Sequence, residues 1–108
     1  MKVEDKVDIS ILNDVYGGLL TEHQREMVRL YYDCDISLFE ISEQFGISRQ
    51  AVRDSLVRAE KSLNIYEEKL GIINKNKEIT RMLNKIISEI TDANIKNEVL
   101  KVIDKVEE

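Results

Sequence analysis

SLFEISEQFGISRQAVRDSLVRAEK, residues 37–61, reads as two short helices joined by a tight turn. Ser37 is a helix N-cap, and Glu40 three positions on completes the Ser-x-x-Glu pattern of a capping box. Leu38, Ile41, Ser42 and Phe45 then fall at i, i+3, i+4 and i+7, which is one face of a helix. Gly46 follows at once and supplies the positive φ that a sharp exit from a helix needs. Ile47 is expected to plug the corner. Ser48 caps a second helix that begins Arg49-Gln50-Ala51-Val52. Val52, Leu56, Ala59 and Leu63 predict its inward face, which leaves Arg49, Gln50, Arg53 and Arg58 outside. Two caps, a glycine turn and matched apolar faces define a helix-turn-helix, the motif whose second helix enters a DNA major groove.

The elements before the motif are also helical by pattern. Residues 7–16 predict a first helix, with Val7, Ile9, Ile11, Leu12, Val15 and Tyr16 forming a broad apolar face that Gly17-Gly18 ends. Thr21, with Gln24 in the capping-box position, opens a second helix over about 22–33. Met27, Leu30 and Tyr31 are its expected buried face. Asp33-Cys34-Asp35 reads as a connector, with Cys34 packing at the helix end.

After the motif, Ile65, Tyr66 and Leu70 extend the second motif helix to Gly71, and its later turns are expected to project away from the core. Beyond Gly71, Ile79, Leu83, Ile86 and Ile90 step by four, three and four. After a break and cap at Thr91-Asp92, Ile95, Val99, Val102 and Val106 repeat that stepping. This is a heptad-like seam in two segments. Helices so short need a partner surface. Either they fold back on the preceding bundle or they pair with a second chain as a homodimer. The expected organisation is an all-α bundle with its long recognition helix over 1–71 and a C-terminal helical pair over 72–108.

Composition bounds the function. The chain has 108 residues, 43% apolar and 34% charged, with no proline and four glycines, which suits helices and not a turn-rich β fold. No apolar run is long enough to span a membrane. MKVEDKVDIS carries charges of both signs and no apolar h-region, so no signal peptide is expected. Cys34 stands alone and has no disulfide partner. A cytoplasmic protein follows as the expectation.

The net charge of −5 is unevenly spread. Residues 1–48 hold four basic and ten acidic side chains, whereas residues 49–63 hold four basic (Arg49, Arg53, Arg58, Lys61) and two acidic (Asp54, Glu60). Screening over roughly 8 Å makes the local sign count for more than the total, so the recognition helix is locally positive on an acidic chain. Modest, salt-sensitive affinity for nucleic acid is the consequence.

Catalysis has no constellation to support it, and no cofactor is implied. One histidine (His23) and one cysteine cannot supply a Cys/His metal set, and Gly17-Gly18 lacks the lysine and spacing of a phosphate loop. Tyr31 and Tyr32 could stack on bases, but a core role is expected for at least one. The candidate nucleic-acid contacts are Ser48, Arg49, Gln50, Arg53, Arg58 and Lys61. Arginine suits guanine and glutamine suits adenine in a major groove. Arg58 and Lys61, further along, suit the backbone. Asp54 is expected to neutralise part of the patch beside Arg53 and Arg58. Use of these charges for protein contact, with the acidic first half as the working face, is the competing reading.

Residues 19–61, with GISRQAVR at their centre, resemble region 4 of bacterial sigma factors, whose second motif helix reads the −35 promoter element. The resemblance implies Arg49, Gln50 and Arg53 as DNA contacts. Only 18 residues precede the match, so less than a complete sigma factor is expected. Across residues 8–70, with YYDCDISLFEIS and FGISRQAVRDSLVRAEKSLNIYEEKL as its distinguishing runs, the chain resembles the YlxM family of small helix-turn-helix proteins. Genes of that family typically neighbour the gene for the signal recognition particle GTPase. The resemblance therefore implies either a DNA-binding regulator or an accessory protein of the particle that binds its GTPase or RNA.

Overall fold

Both motif helices start at the serines that the pattern selects. Ser37 is extended (φ −70°, ψ 158°) and its Oγ accepts a hydrogen bond from Glu40 N at 3.1 Å. The reciprocal half of the expected capping box, a bond from Ser37 N to the Glu40 carboxylate, does not form; the complete box is at Thr21–Gln24. Gly46 is left-handed (φ 66°, ψ 34°), and Ile47 N donates to Ser42 O at 3.1 Å, closing the six-residue ring of a Schellman motif. That closure leaves Ile47 39% exposed and not buried in the corner as expected. Ser48 Oγ accepts from Ala51 N at 3.0 Å and starts the next helix.

The structure is a computed structural model that describes residues 3–107, with side chains from Ile9 onward. Among the described residues there are six α-helices and no strand, as an all-α fold requires. They are α1 (Val3–Tyr16), α2 (Glu22–Val28), α3 (Leu38–Phe45), α4 (Arg49–Leu70), α5 (Ile72–Glu89) and α6 (Ala93–Glu107). A single 3₁₀ turn, Gly17–Leu19, joins α1 to α2, and α2 runs on into a π turn over Arg29–Asp33. The chain divides after Leu70 into two compact units.

In the first unit α4 packs on α1, α2 and α3. Its buried face is the expected one, Val52, Leu56, Ala59 and Leu63, met by Ile9, Leu12 and Tyr16 from α1, Met27 and Val28 from α2, and Ile41 from α3. The broad apolar face expected of α1 is narrower: Ile11 and Val15 are exposed, and the Val7 side chain lies outside the described residues. In the second helix Tyr32, not Tyr31, is buried beside Leu30. A π turn takes an extra residue, so the inward phase slips by one position where α2 widens. The Tyr32 hydroxyl donates to Glu60 on α4. Cys34 is exposed, because the chain leaves the helix there into the left-handed Asp35 (φ 54°).

The later turns of α4 are held more firmly than expected. Tyr16, buried on α1, donates its hydroxyl to Glu67 Oε1 at 2.5 Å, and its ring lies 6.1 Å from that of Tyr66. Contact with α1 thus reaches five turns along α4, and its last three residues, Glu68 to Leu70, are all exposed.

The second unit is a helical hairpin. Ile90 to Asp92 breaks the chain where expected, and Asp92 Oδ1 accepts from Asn94 N at 2.8 Å and Ile95 N at 3.1 Å. The heptad-like seam is only partly closed. Among the described residues of the hairpin, Ile103, which lies outside that repeat, is the one buried side chain, while Ile86, Ile95 and Val102, which belong to it, are exposed. The helices meet one position off the repeat, which turns part of the seam outward.

Leu63→Ala is expected to lower the unfolding free energy by about 2–5 kcal/mol, as for a large side chain removed from a closed core. Val57→Ala, one helical face away and 56% exposed, should stay within about 0.5 kcal/mol of the parent in the same urea titration. Gly46→Ala should cost about 1–2 kcal/mol, because an L side chain is strained at that φ.

Candidate nucleic-acid interface

Helix α4 turns about 100° per residue, so fixing Val52, Leu56, Ala59 and Leu63 in the core fixes where every other side chain points. Gln50, Val57 and Lys61 fall opposite the buried face, with Asp54 beside them. Arg53 and Arg58 lie on the two flanks of this outer surface, about 140° apart around the axis. Arg49 lies nearest the core side. All of these residues are exposed, and so is Ser48.

Their partners differ. The Arg49 guanidinium sits over the Phe39 ring of α3, 4.9 Å from its centroid, a cation–π contact that ties the start of the second motif helix to the first. Gln50 Nε2 donates to Asp54 Oδ1 at 2.9 Å. Asp54, expected to offset part of the charge of Arg53 and Arg58, is bound to the Gln50 amide one turn back and forms no ion pair among the described residues. Among the described residues, Arg53, Arg58 and Lys61 have no hydrogen bond or ion pair. Ser48 Oγ acts as an acceptor in its cap, and its own proton has no acceptor among the described residues.

The surface therefore carries three uncommitted cations, one cation anchored by an aromatic ring, and one ordered amide–carboxylate pair. The structure brings Gln50 and Lys61 onto one outer face, puts Arg53 and Arg58 on its two flanks and Arg49 nearer the core side, and keeps Ser48 at the helix start. Sequence reasoning missed two contributors, Phe39 and Val57, and one partner of a third. Phe39 reads as a spare apolar residue on α3, 49% exposed, and its role appears only when the turn folds Arg49 over it. Val57 is an apolar side chain in the middle of the polar face. Asp54 was noticed, but its i, i+4 spacing from Gln50 was the available signal.

Arg29 forms a two-nitrogen pair with Glu26. That hydrogen bond holds the Glu26 carboxyl below its ordinary range and raises the Arg29 guanidinium. The stabilisation it gives is present above the ordinary carboxylate range and is lost as pH falls through the depressed value. It is small, because both side chains are nearly half exposed. This pair lines a cleft of about 530 Å³ between α1 and α2, where His23 packs edge-on against Phe45, with centroids 5.4 Å apart. Asn13 donates to Arg25 O at 3.3 Å there, and its Oδ1 is packed where a Cβ on Gly17 would come within 2.7 Å. Among the described residues no three His, Cys, Asp or Glu side chains gather as metal ligands, and no helix is long and apolar enough to cross a membrane.

Residues 3–104 match the family described as "UPF0122: Putative helix-turn-helix protein, YlxM / p13 like". The chain is 45% identical over 106 residues to a UPF0122 protein of Thermoanaerobacter sp. strain X514, covering 95% of this chain and 91% of that one. It is 50% identical over 80 residues to a UPF0122 protein of Desulforamulus reducens, covering 74% and 68%. A UPF0122 protein of Clostridium novyi is 45% identical over 95 residues, covering 88% and 83%. The chain belongs to the UPF0122 family.

Because Arg53 and Arg58 are exposed and have no ion pair among the described residues, Arg53→Ala and Arg58→Ala should each leave the unfolding free energy within about 0.5 kcal/mol of the parent. A larger loss in thermal or urea unfolding would mean that these cations have a structural role.

Proposed function

We propose that this member of the UPF0122 family is a cytoplasmic regulator that binds double-stranded DNA through α4. The observation that carries the reading is the pair of arginines, Arg53 and Arg58, without a partner among the described residues and on opposite flanks of a capped second motif helix. A helix lying in a major groove has a phosphate strand on each side and base edges beneath it. Cations on both flanks with Gln50 between them fit that environment. Arg53 reaches a base edge or the near strand, and Arg58 and Lys61 the far one. Arg49, braced on Phe39, and the Ser48 hydroxyl address phosphates at the helix start. Asp54 would be repelled by any phosphate, so it is placed to accept from a base amine such as cytosine N4, with the Gln50 amide holding its orientation.

Selection from a randomised duplex pool, followed by anisotropy titrations at several salt concentrations, tests this. Arg53→Ala and Arg58→Ala should each weaken binding and reduce the salt slope by about 1. Gln50→Ala should instead alter preference at one base pair by about 1–3 kcal/mol. Structured RNA, such as that of the signal recognition particle, is the competing partner. Its deep, narrow groove excludes a helix, so recognition would rest on phosphates and 2′-hydroxyls. An RNA-binding chain would respond to Arg53→Glu and Arg58→Glu but not to Gln50→Ala. Duplex binding indifferent to all of these substitutions would overturn the proposal.

A further inference from the structure

The hairpin of α5 and α6 leaves one side of itself uncovered. Met82 and Ile86 on α5 are 54% and 49% exposed, and Ile95 and Val102 on α6 are 54% and 49% exposed. By helical phase, Met82 and Ile86 flank the line of Leu83 and Ile87 that faces α6, and Ile95 and Val102 flank Ile103. In an antiparallel pair these two flanks lie on the same side, so the four side chains form one apolar stripe. A hairpin in which Ile103 is the one buried apolar side chain among the described residues is below the size at which a core sustains itself.

The charges bordering the stripe match themselves. Lys75 lies seven residues before Met82 and Glu89 seven residues after it, two turns to either side on the same face. Both are exposed, and neither has an ion pair among the described residues. Two α5 helices laid antiparallel and crossing at Met82 set each Lys75 against the other copy's Glu89. Contacts that come in such exchanged pairs are what a two-fold interface requires.

We propose that this stripe is the docking surface for a second copy of the chain, forming an antiparallel four-helix bundle from two hairpins with α5 crossing its copy at Met82. The inference does not rest on DNA binding: a chain that pairs but ignores DNA leaves it standing.

Sedimentation equilibrium of the full chain from about 1 to 100 µM reads the outcome. The parent should be dimeric in the upper part of that range. Met82→Glu/Ile86→Glu should be monomeric with an unchanged far-ultraviolet circular dichroism spectrum, since both positions are exposed. Lys75→Glu and Glu89→Lys should each weaken pairing roughly 3–10-fold, each acting twice across the interface, and the two together should restore it to within about twofold. A monomer throughout the range, a dimer that survives Met82→Glu/Ile86→Glu, or a combined charge swap that fails to restore pairing would each overturn the proposal.

Discussion

The buried face of α4 is the constraint on which the first unit depends. Val52, Leu56, Ala59 and Leu63 are closed off by three other helices at once, so α4 can neither rotate nor slide without opening the core. Each of these side chains costs roughly 1–5 kcal/mol to truncate, a large part of the stability of a domain this size. A helix pinned on one side presents a fixed opposite side. The positions of Gln50, Arg53, Arg58 and Lys61 therefore follow from packing, and this outer face inherits the rigidity of the core. The hydrogen bond from Tyr16 to Glu67 extends that grip well beyond the motif.

Local chemistry then sets the angle at which α4 leaves α3. The left-handed Gly46, the bond from Ile47 N to Ser42 O and the Ser48 cap join the helices through three residues. The Arg49–Phe39 contact adds a side-chain brace across the same corner. The cation closest to the turn is thus held in place by a ring of the preceding helix, while Arg53, Arg58 and Lys61 have no such brace among the described residues. An acidic chain can carry such a surface because screening confines each charge to its own neighbourhood, and its carboxylates discourage nonspecific attachment.

What the sequence made legible was what short-range rules govern. Ser37, Thr21, Gly46 and Ser48 mark boundaries because caps and turns are decided within four residues. The buried face of α4 was readable because it keeps one period over many turns. The failures share a cause. Tyr32 is buried in place of Tyr31 because a π turn breaks the period, and nothing in RLYYD announces it. Ile103 is buried in place of Val102 because the angle between two helices is set by their packing and not by either repeat. Phe39 and Asp54 acquire meaning from neighbours that only the fold, or a specific rotamer, supplies. Ile11, Val15 and Ile47 are apolar and exposed, and apolarity alone does not say which side a neighbour will cover.

The central claim is that the outer face of α4 meets duplex DNA. The most direct test is amide-resolved NMR of the full chain during titration with a mixed-sequence DNA duplex at low salt. The account predicts chemical-shift changes concentrated at Ser48, Arg49, Gln50, Arg53, Val57, Arg58 and Lys61, with α1 unmoved. Changes centred on the acidic surface of α1 and α2, or none on α4 while the duplex is bound, would contradict it.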